Sequence, residues 1–251
     1  MPVIDLNCDL GESFGAYTFG NDAAVLETVT SANVACGFHG GDPHGMRETC
    51  RAAAAAGVTI GAHPGYRDLA GFGRRFIDYA PQELTDEVIY QLGAVRAIAR
   101  SVGGDVAYVK PHGALYNAIA THEAQAHAVV EAVVAFDASL PLLVQPGTAI
   151  ARAATHAGVR VIAEAFVDRG YAADGRLVPR GAPGALLDHD AAVAQAIEIA
   201  AHGRVTAIDG SVVSLPAESL CLHGDHPSAM QLAADVRAAL EARGIEIRSA
   251  V

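Results

Sequence analysis

The stretch Ala107-Tyr108-Val109-Lys110-Pro111-His112-Gly113 runs from strand-forming apolar residues directly into a lysine, a proline, a histidine and a glycine. A lysine on an apolar strand is costly unless it meets an anion or a carboxylate, so this strand end reads as a site. The same grammar recurs on both sides. Upstream lie Val3-Ile4-Asp5-Leu6-Asn7-Cys8-Asp9, Ala32-Asn33-Val34-Ala35-Cys36-Gly37-Phe38-His39 and Thr59-Ile60-Gly61-Ala62-His63-Pro64-Gly65. Downstream lie Leu142-Leu143-Val144-Gln145-Pro146-Gly147, Val161-Ile162-Ala163-Glu164-Ala165-Phe166-Val167-Asp168 and Leu220-Cys221-Leu222-His223-Gly224-Asp225. Most of these seven ends carry His, Asp, Glu or Lys. Parallel sheets collect ligands at the carboxyl ends of their strands, and a ring of ionisable side chains there is how α/β barrels build active sites.

Amphipathic segments separate the runs, with helices expected over 43–56, 81–102, 122–136, 148–156, 188–202 and 227–243. Pro43 and Pro81 suit a first helical turn, and Thr121 and Asp188 suit N-caps. A repeating βα pattern predicts an α/β fold with a parallel sheet. Seven strands fit a seven-stranded, slightly incomplete β/α barrel better than a barrel of eight, with a doubly wound sheet as the alternative. No interdomain linker interrupts the pattern, so residues 1–251 are expected to form a single barrel domain.

With 51% apolar and 18% charged residues, the chain can bury a sizeable core without disulfides. Cys8, Cys36, Cys50 and Cys221 form no Cys-x-x-Cys pair and read as packed, reduced thiols. No apolar run has the length of a membrane span, and Met1-Pro2-Val3-Ile4 enters a strand without a basic leader, so a cytoplasmic chain is expected. The formal charge of −11 argues against nucleic acid or a membrane surface as partner. Two segments break the βα rhythm, 66–79 and 169–187, both rich in glycine and charge. Long loops after strand ends are usually binding loops or lids.

The strand ends supply the candidate residues. Asp9 can bind a metal, hold a histidine or act as a base, while Glu12 reads more readily as a loop cap. His39-Gly40-Gly41-Asp42-Pro43-His44 brings backbone N–H groups and a helix N-terminus toward a ligand, with His44 near enough in sequence to share the pocket. His63, His112 and His223 end three further strands. Lys110 and Glu164 need partners of opposite charge and can neutralise one another. Asp168 is a freer carboxylate, and Arg169 beside it reads as solvent-facing. Asn7, Gly40, Gly41, Arg74 and Asn117 are candidates for substrate or phosphate binding. The histidines with Asp9 can hold a divalent ion, for which Asp9, His39, His44 and His63 are the candidates, or can serve acid–base chemistry. There is no Walker A sequence and no Gly-x-Ser-x-Gly elbow.

Taken together, several longer strings resemble the LamB/YcsF family. They include Asp5-Leu6-Asn7-Cys8-Asp9-Leu10-Gly11-Glu12-Ser13-Phe14-Gly15, Ser31-Ala32-Asn33-Val34-Ala35-Cys36-Gly37-Phe38-His39-Gly40-Gly41-Asp42-Pro43 and Gly61-Ala62-His63-Pro64-Gly65-Tyr66-Arg67-Asp68. Gly71-Phe72-Gly73-Arg74-Arg75, Val109-Lys110-Pro111-His112-Gly113-Ala114-Leu115-Tyr116-Asn117, Glu164-Ala165-Phe166-Val167-Asp168-Arg169-Gly170-Tyr171 and Leu222-His223-Gly224-Asp225 complete the set. The resemblance implies a distorted TIM-like barrel related to glycoside hydrolases and polysaccharide deacetylases. It also implies lactam utilisation, with ATP as co-substrate driving the opening of 5-oxoproline to glutamate alongside separate B and C subunits. On that basis Asp9, His39, His63, Lys110, His112, Glu164, Asp168 and His223 are expected to be catalytic. Two rival readings are a metal-dependent carbohydrate deacetylase on a related barrel and a non-catalytic member of a lactamase complex.

Overall fold

The computed structural model describes residues 2–222 and 229–251. Its strands are β1 (Val3–Leu10), β2 (Ser31–Ala35), β3 (Thr59–His63), β4 (Val106–Val109), β5 (Leu142–Val144), β6 (Val161–Phe166), β7 (Arg204–Thr206), β8 (Val212–Ser214), β9 (Ser219–Leu222) and β10 (Glu246–Ile247). The helices are α1 (Asp22–Val25), α2 (Pro43–Ala56), α3 (Pro81–Ser101), α4 (Gly113–Ala118), α5 (Glu123–Asp137), α6 (Ala149–His156), α7 (His189–His202) and α8 (Ala229–Glu241). Strands β1 to β6 and β9 close into a ring, because β9 pairs with both β6 and β1, and every pairing in the ring is parallel. This is the expected seven-stranded β/α barrel. No helix of the described residues is long and apolar enough to cross a membrane.

Strand β1 shows why the sequence folds this way. Its residues alternate, with Ile4, Leu6, Cys8 and Leu10 all at most 2% exposed in the apolar core. Burying an Ile or Leu side chain contributes about 1.5–3 kcal/mol. The intervening Asp5, Asn7 and Asp9 take the other face of the strand. Asp5 accepts hydrogen bonds from Thr30, Ser31 and Ser219, and Asn7 donates to Ser219 and accepts from Asn33 and Lys110. These partners come from or adjoin β2, β4 and β9, so the inside of the ring is a hydrogen-bonded polar column. Gly61 on β3 makes room for it: a Cβ there would collide with the Tyr108 ring. The Tyr108 ring crosses that space and its hydroxyl donates to Asn33 Oδ1 at 2.6 Å.

Caps follow local chemistry. Asp42 accepts from the N–H groups of His44 and Gly45 at the start of α2, and Asp188 accepts from Ala191 at the start of α7. At α5 the cap is His122, whose Nδ1 accepts from Gln125, rather than Thr121. The β7–β8 hairpin, β10 and the short helices α1 and α4 add to the elements expected from the βα pattern. The hairpin has a readable signal, since Asp209-Gly210 separates Val205-Thr206 from Val212-Val213. All four cysteines are free and buried.

Candidate active site

The carboxyl ends of the strands converge on a cavity of about 700 Å³ lined by Asp9, Glu12, His63, Lys110, His112 and Tyr116, among others. His39 is fully buried beside it and stacks on His112, with centroids 3.6 Å apart and planes at 4°. Tight backbone contacts set this arrangement. A Cβ on Gly41, at φ +77°, would lie 2.7 Å from the Gly11 carbonyl oxygen, and one on Gly40 would lie 3.0 Å from that of Glu12. The Gly-Gly turn therefore lets the β2–α2 loop press against the β1 loop and set Glu12 next to His39. Neither glycine lines the cavity.

Backbone carbonyls anchor two of the histidines. His63 Nδ1 lies 2.7 Å from the Lys110 carbonyl oxygen, and His112 Nε2 lies 2.8 Å from that of Phe72. A carbonyl only accepts, so both nitrogens carry protons and the opposite nitrogens are left to other partners. Those two atoms, His63 Nε2 and His112 Nδ1, face each other at 3.0 Å. Asp9 Oδ2 is 3.3 Å from His63 Nε2, and Glu12 Oε1 is 3.4 Å from His112 Nδ1 and 3.3 Å from His39 Nε2. Converging lone pairs and carboxylates repel unless a proton or a cation lies among them. Ligand atoms of Glu12, His39, His63 and His112 all fall within 4.8 Å of one another. Neutral imidazoles anchored to carbonyls beside a carboxylate fit a divalent metal. Burial holds His39 and His112 well below the usual histidine range, with the neighbouring imidazoles adding to the effect. His39 Nδ1 is buried without a hydrogen-bond partner.

Lys110 joins this cluster to the column below. Its Nζ lies 2.9 Å from Asp9 Oδ1, 3.0 Å from Glu164 Oε1, 3.0 Å from Cys221 Sγ and 3.1 Å from Asn7 Oδ1. Burial alone would depress the ammonium, but Asp9, Cys221 and Glu164 outweigh it and hold Lys110 well above its usual range. Glu164 is fully buried and does not line the cavity; burial raises its pKa while Lys110 and Tyr116 pull it down. Its place beneath Lys110 is that of a charge partner. Asn33 donates to both Asn7 Oδ1 and Asp9 Oδ1 at 2.8 Å, which fixes the Asp9 carboxylate from below.

Most residues singled out in the sequence meet here: Asn7, Asp9, His39, His63, Lys110, His112 and Glu164, with Arg74 and Asn117 on the cavity wall. His44 does not; it is exposed on α2 and outside the histidine cluster. Asp168 is half-buried and does not line the cavity. His223 and Asp225 lie outside the described residues. Arg169, read as solvent-facing, is 4% exposed and faces the cavity, donating to the carbonyls of Ala185 and Val178. Glu12, Asn33 and Tyr108 are additions. Asn33 and Tyr108 share the inward phase of residues already chosen, Asn33 lying opposite Asp9 in the β1–β2 register. Glu12 follows the positive-φ turn at Gly11, which brings it back toward the mouth.

Comparison with known proteins identifies the family. Residues 4–251 match the LamB/YcsF family. A protein of Kocuria rhizophila that carries the name of the 5-oxoprolinase A subunit is 59% identical over 251 residues, covering 99% of each chain. The structure of a lactam utilization protein from Thermus thermophilus superposes with a TM-score of 0.94 at 45% identity, over 98% of this chain and 99% of that one. A family 4 carbohydrate esterase from Streptomyces lividans shares the fold, with a TM-score of 0.52 at 10% identity over 100% of this chain and 92% of the other.

Proposed function

Since the chain belongs to the LamB/YcsF family, we propose that it is the hydrolytic A subunit of an ATP-dependent 5-oxoprolinase, opening the lactam of 5-oxoproline to L-glutamate. The observation that carries this reading is the convergence of Asp9, Glu12, Lys110, His63 and His112 on one cavity, with His39 buried against them. Hydrolysing an amide needs a base for water, a cation for the developing oxyanion and a proton for the departing nitrogen. The name carried by the Kocuria rhizophila relative supplies the bond type.

A five-membered lactam holds its amine and carboxyl at high effective concentration, so closure is easy and opening needs a driving force. Transfer of a phosphoryl group from ATP to the lactam oxygen supplies one and releases ADP. Water then bonds to the ring carbon and gives a proton to a base. The C–N bond breaks as nitrogen takes a proton, leaving a glutamyl phosphate. A second water cleaves this to glutamate and phosphate. Asp9, lining the cavity floor and held by Lys110 and Asn33, is the base in this scheme. Lys110 places positive charge beside the reacting carbonyl. Glu12, His39, His63 and His112 are the residues that would hold a divalent ion, which would supply Lewis acidity when bound. B and C chains are its proposed partners.

Purified protein, alone and with the B and C chains, is to be incubated with 5-oxoproline and ATP while glutamate is measured. ATP-dependent glutamate formation that Asp9→Asn abolishes supports the assignment. Hydrolysis of an acetylated sugar with neither ATP nor partners would instead favour the deacetylase reading.

A further inference from the structure

The cavity has two chemically different zones. Its floor holds the carboxylates, histidines and Lys110. Its walls include the two long loops that break the βα rhythm, and every charged lining residue from those loops is an arginine: Arg74, Arg169, Arg176 and Arg180. This local sign opposes the whole chain, which has 17 Lys and Arg against 28 Asp and Glu. Arg169 is fixed by its backbone carbonyl acceptors, Ala185 at 3.1 Å and Val178 at 2.6 Å. The Arg74 guanidinium sits 5.0 Å from the centre of the Phe72 ring. Arg176 keeps a surface contact with Asp174 at 3.5 Å. Antiparallel bridges Arg169–Leu186 and Tyr171–Leu177 give the second loop its own order.

A lactam carboxylate carries a single negative charge, which one bidentate arginine answers. Four arginines from two loops line this part of the cavity. The cavity volume, about 700 Å³, lies in the range that encloses drug-sized ligands rather than a small ring alone. Planar guanidinium groups match phosphate oxygens, and a phosphoryl group carries up to about two negative charges.

We propose that the loop arginines form a cradle for a phosphoryl group, so that the reacting species enters with its phosphate against Arg74, Arg169, Arg176 and Arg180 and its organic part toward the histidine floor. The link to a reacting species rests on the lactam-opening reading above; the cradle itself is a separate binding claim. Two sources can supply the group, ATP itself or a lactam phosphorylated elsewhere.

Calorimetric titration of the purified chain with inorganic phosphate, pyrophosphate, ATP and 5-oxoproline tests this. Arg176 and Arg180 are exposed, so the Arg176→Gln/Arg180→Gln double variant should fold. It is expected to bind pyrophosphate about tenfold more weakly than wild type. Arg51→Gln, on the surface of α2 and paired with Glu48, should bind like wild type. ATP binding weakened by the same double variant supports the cradle and assigns the phosphoryl group to the nucleotide. Pyrophosphate binding without ATP binding supports it and assigns the group to a phosphorylated lactam. The cradle is overturned if no phosphate-bearing probe binds, or if the double variant binds all of them as well as wild type. The glutamate assay separates the two readings: no glutamate with intact phosphate binding sinks the lactam reading alone. Glutamate formation untouched in the double variant sinks the cradle alone.

Discussion

Gly73 presses against the face of the histidine cluster: a Cβ on it would lie 2.7 Å from His112 Cδ2 and 2.6 Å from His39 Cβ. Its φ of +62° is also one that side chains resist. Gly73→Ala therefore strains the backbone by about 1–2 kcal/mol and overpacks the stacked rings by about 1–3 kcal/mol. Gly15 has φ +56° but no atom within 4 Å of its Cβ position, so Gly15→Ala should show the backbone cost alone. Chemical denaturation of both variants separates the terms. Equal losses would mean that the Gly73 contact does not constrain the imidazoles.

Lys110 is the cation for fully buried Glu164. Lys110→Met leaves that carboxylate uncompensated, and breaking a buried pair from one side costs about 3–5 kcal/mol. Adding Glu164→Gln should restore much of the stability, because the stranded charge is gone, without restoring hydrolysis. A denaturation cycle over the four proteins measures the coupling. Simple additivity would show that Glu164 does not depend on Lys110.

The metal reading makes a selective claim. Zinc titration by calorimetry should show a site in the wild type that His63→Ala and His112→Ala each weaken by more than about tenfold. His44→Ala should bind as wild type, since that residue is exposed and away from the cluster. Retained affinity in both cluster variants would remove the lone-pair geometry as a metal site.

What could be read ahead of the structure followed from short-range rules. Barrel strands announce themselves as apolar runs with polar ends, and α2 begins at Pro43 because Asp42 caps it. Lys110 and Glu164 were legible as a pair because an ionised side chain on an apolar strand requires a partner. Glu12 was not, since a loop carboxylate usually caps its own turn, and its role comes from Gly40 packing on it across the chain. The polar column was hidden for a related reason. Asn33 and Tyr108 are ordinary strand residues until barrel closure brings β4 opposite β2 across Gly61. Arg169 departs from the solvent-facing expectation because its acceptors are backbone carbonyls on the same loop, which composition does not reveal.

Acidification should destabilise the chelator-treated protein through its buried histidines. Free histidine titrates near 6.5, whereas burial holds His39 and His112 well below that value in the fold. Between those values the unfolded chain binds more protons, so stability rises with pH there and is lost as pH falls below about 6.5. Each histidine contributes at most about 1.4 kcal/mol per pH unit in that window. Glu164 and Asp5 act in the opposite sense above the ordinary carboxylate range, because burial raises their pKa and the folded state holds the extra proton. Urea midpoints measured from pH 7.5 downward should therefore begin to fall as pH passes below about 6.5. A midpoint that is constant through the first unit below 6.5 would contradict neutral buried imidazoles.

Tyr108 acts on the proposed base through Asn33. Its hydroxyl donates to Asn33 Oδ1 at 2.6 Å, which forces the Asn33 amide nitrogen toward Asn7 and Asp9. Tyr108→Phe leaves a buried acceptor without its donor, a loss of about 1–3 kcal/mol. It also removes the bond that fixes the amide orientation, and a flipped Asn33 would set its oxygen against the Asp9 carboxylate. Asp9 would then keep Lys110 but lose its second anchor. Tyr108 does not line the cavity, so ligand contacts are unchanged and KM should stay near its wild-type value. The loss should fall on kcat, since the base is mispositioned rather than removed. Steady-state kinetics of the reconstituted enzyme, with unfolding measured in parallel, distinguishes this from general loosening. A stable Tyr108→Phe protein with unchanged kcat would show that the column supports the fold alone and does not orient Asp9.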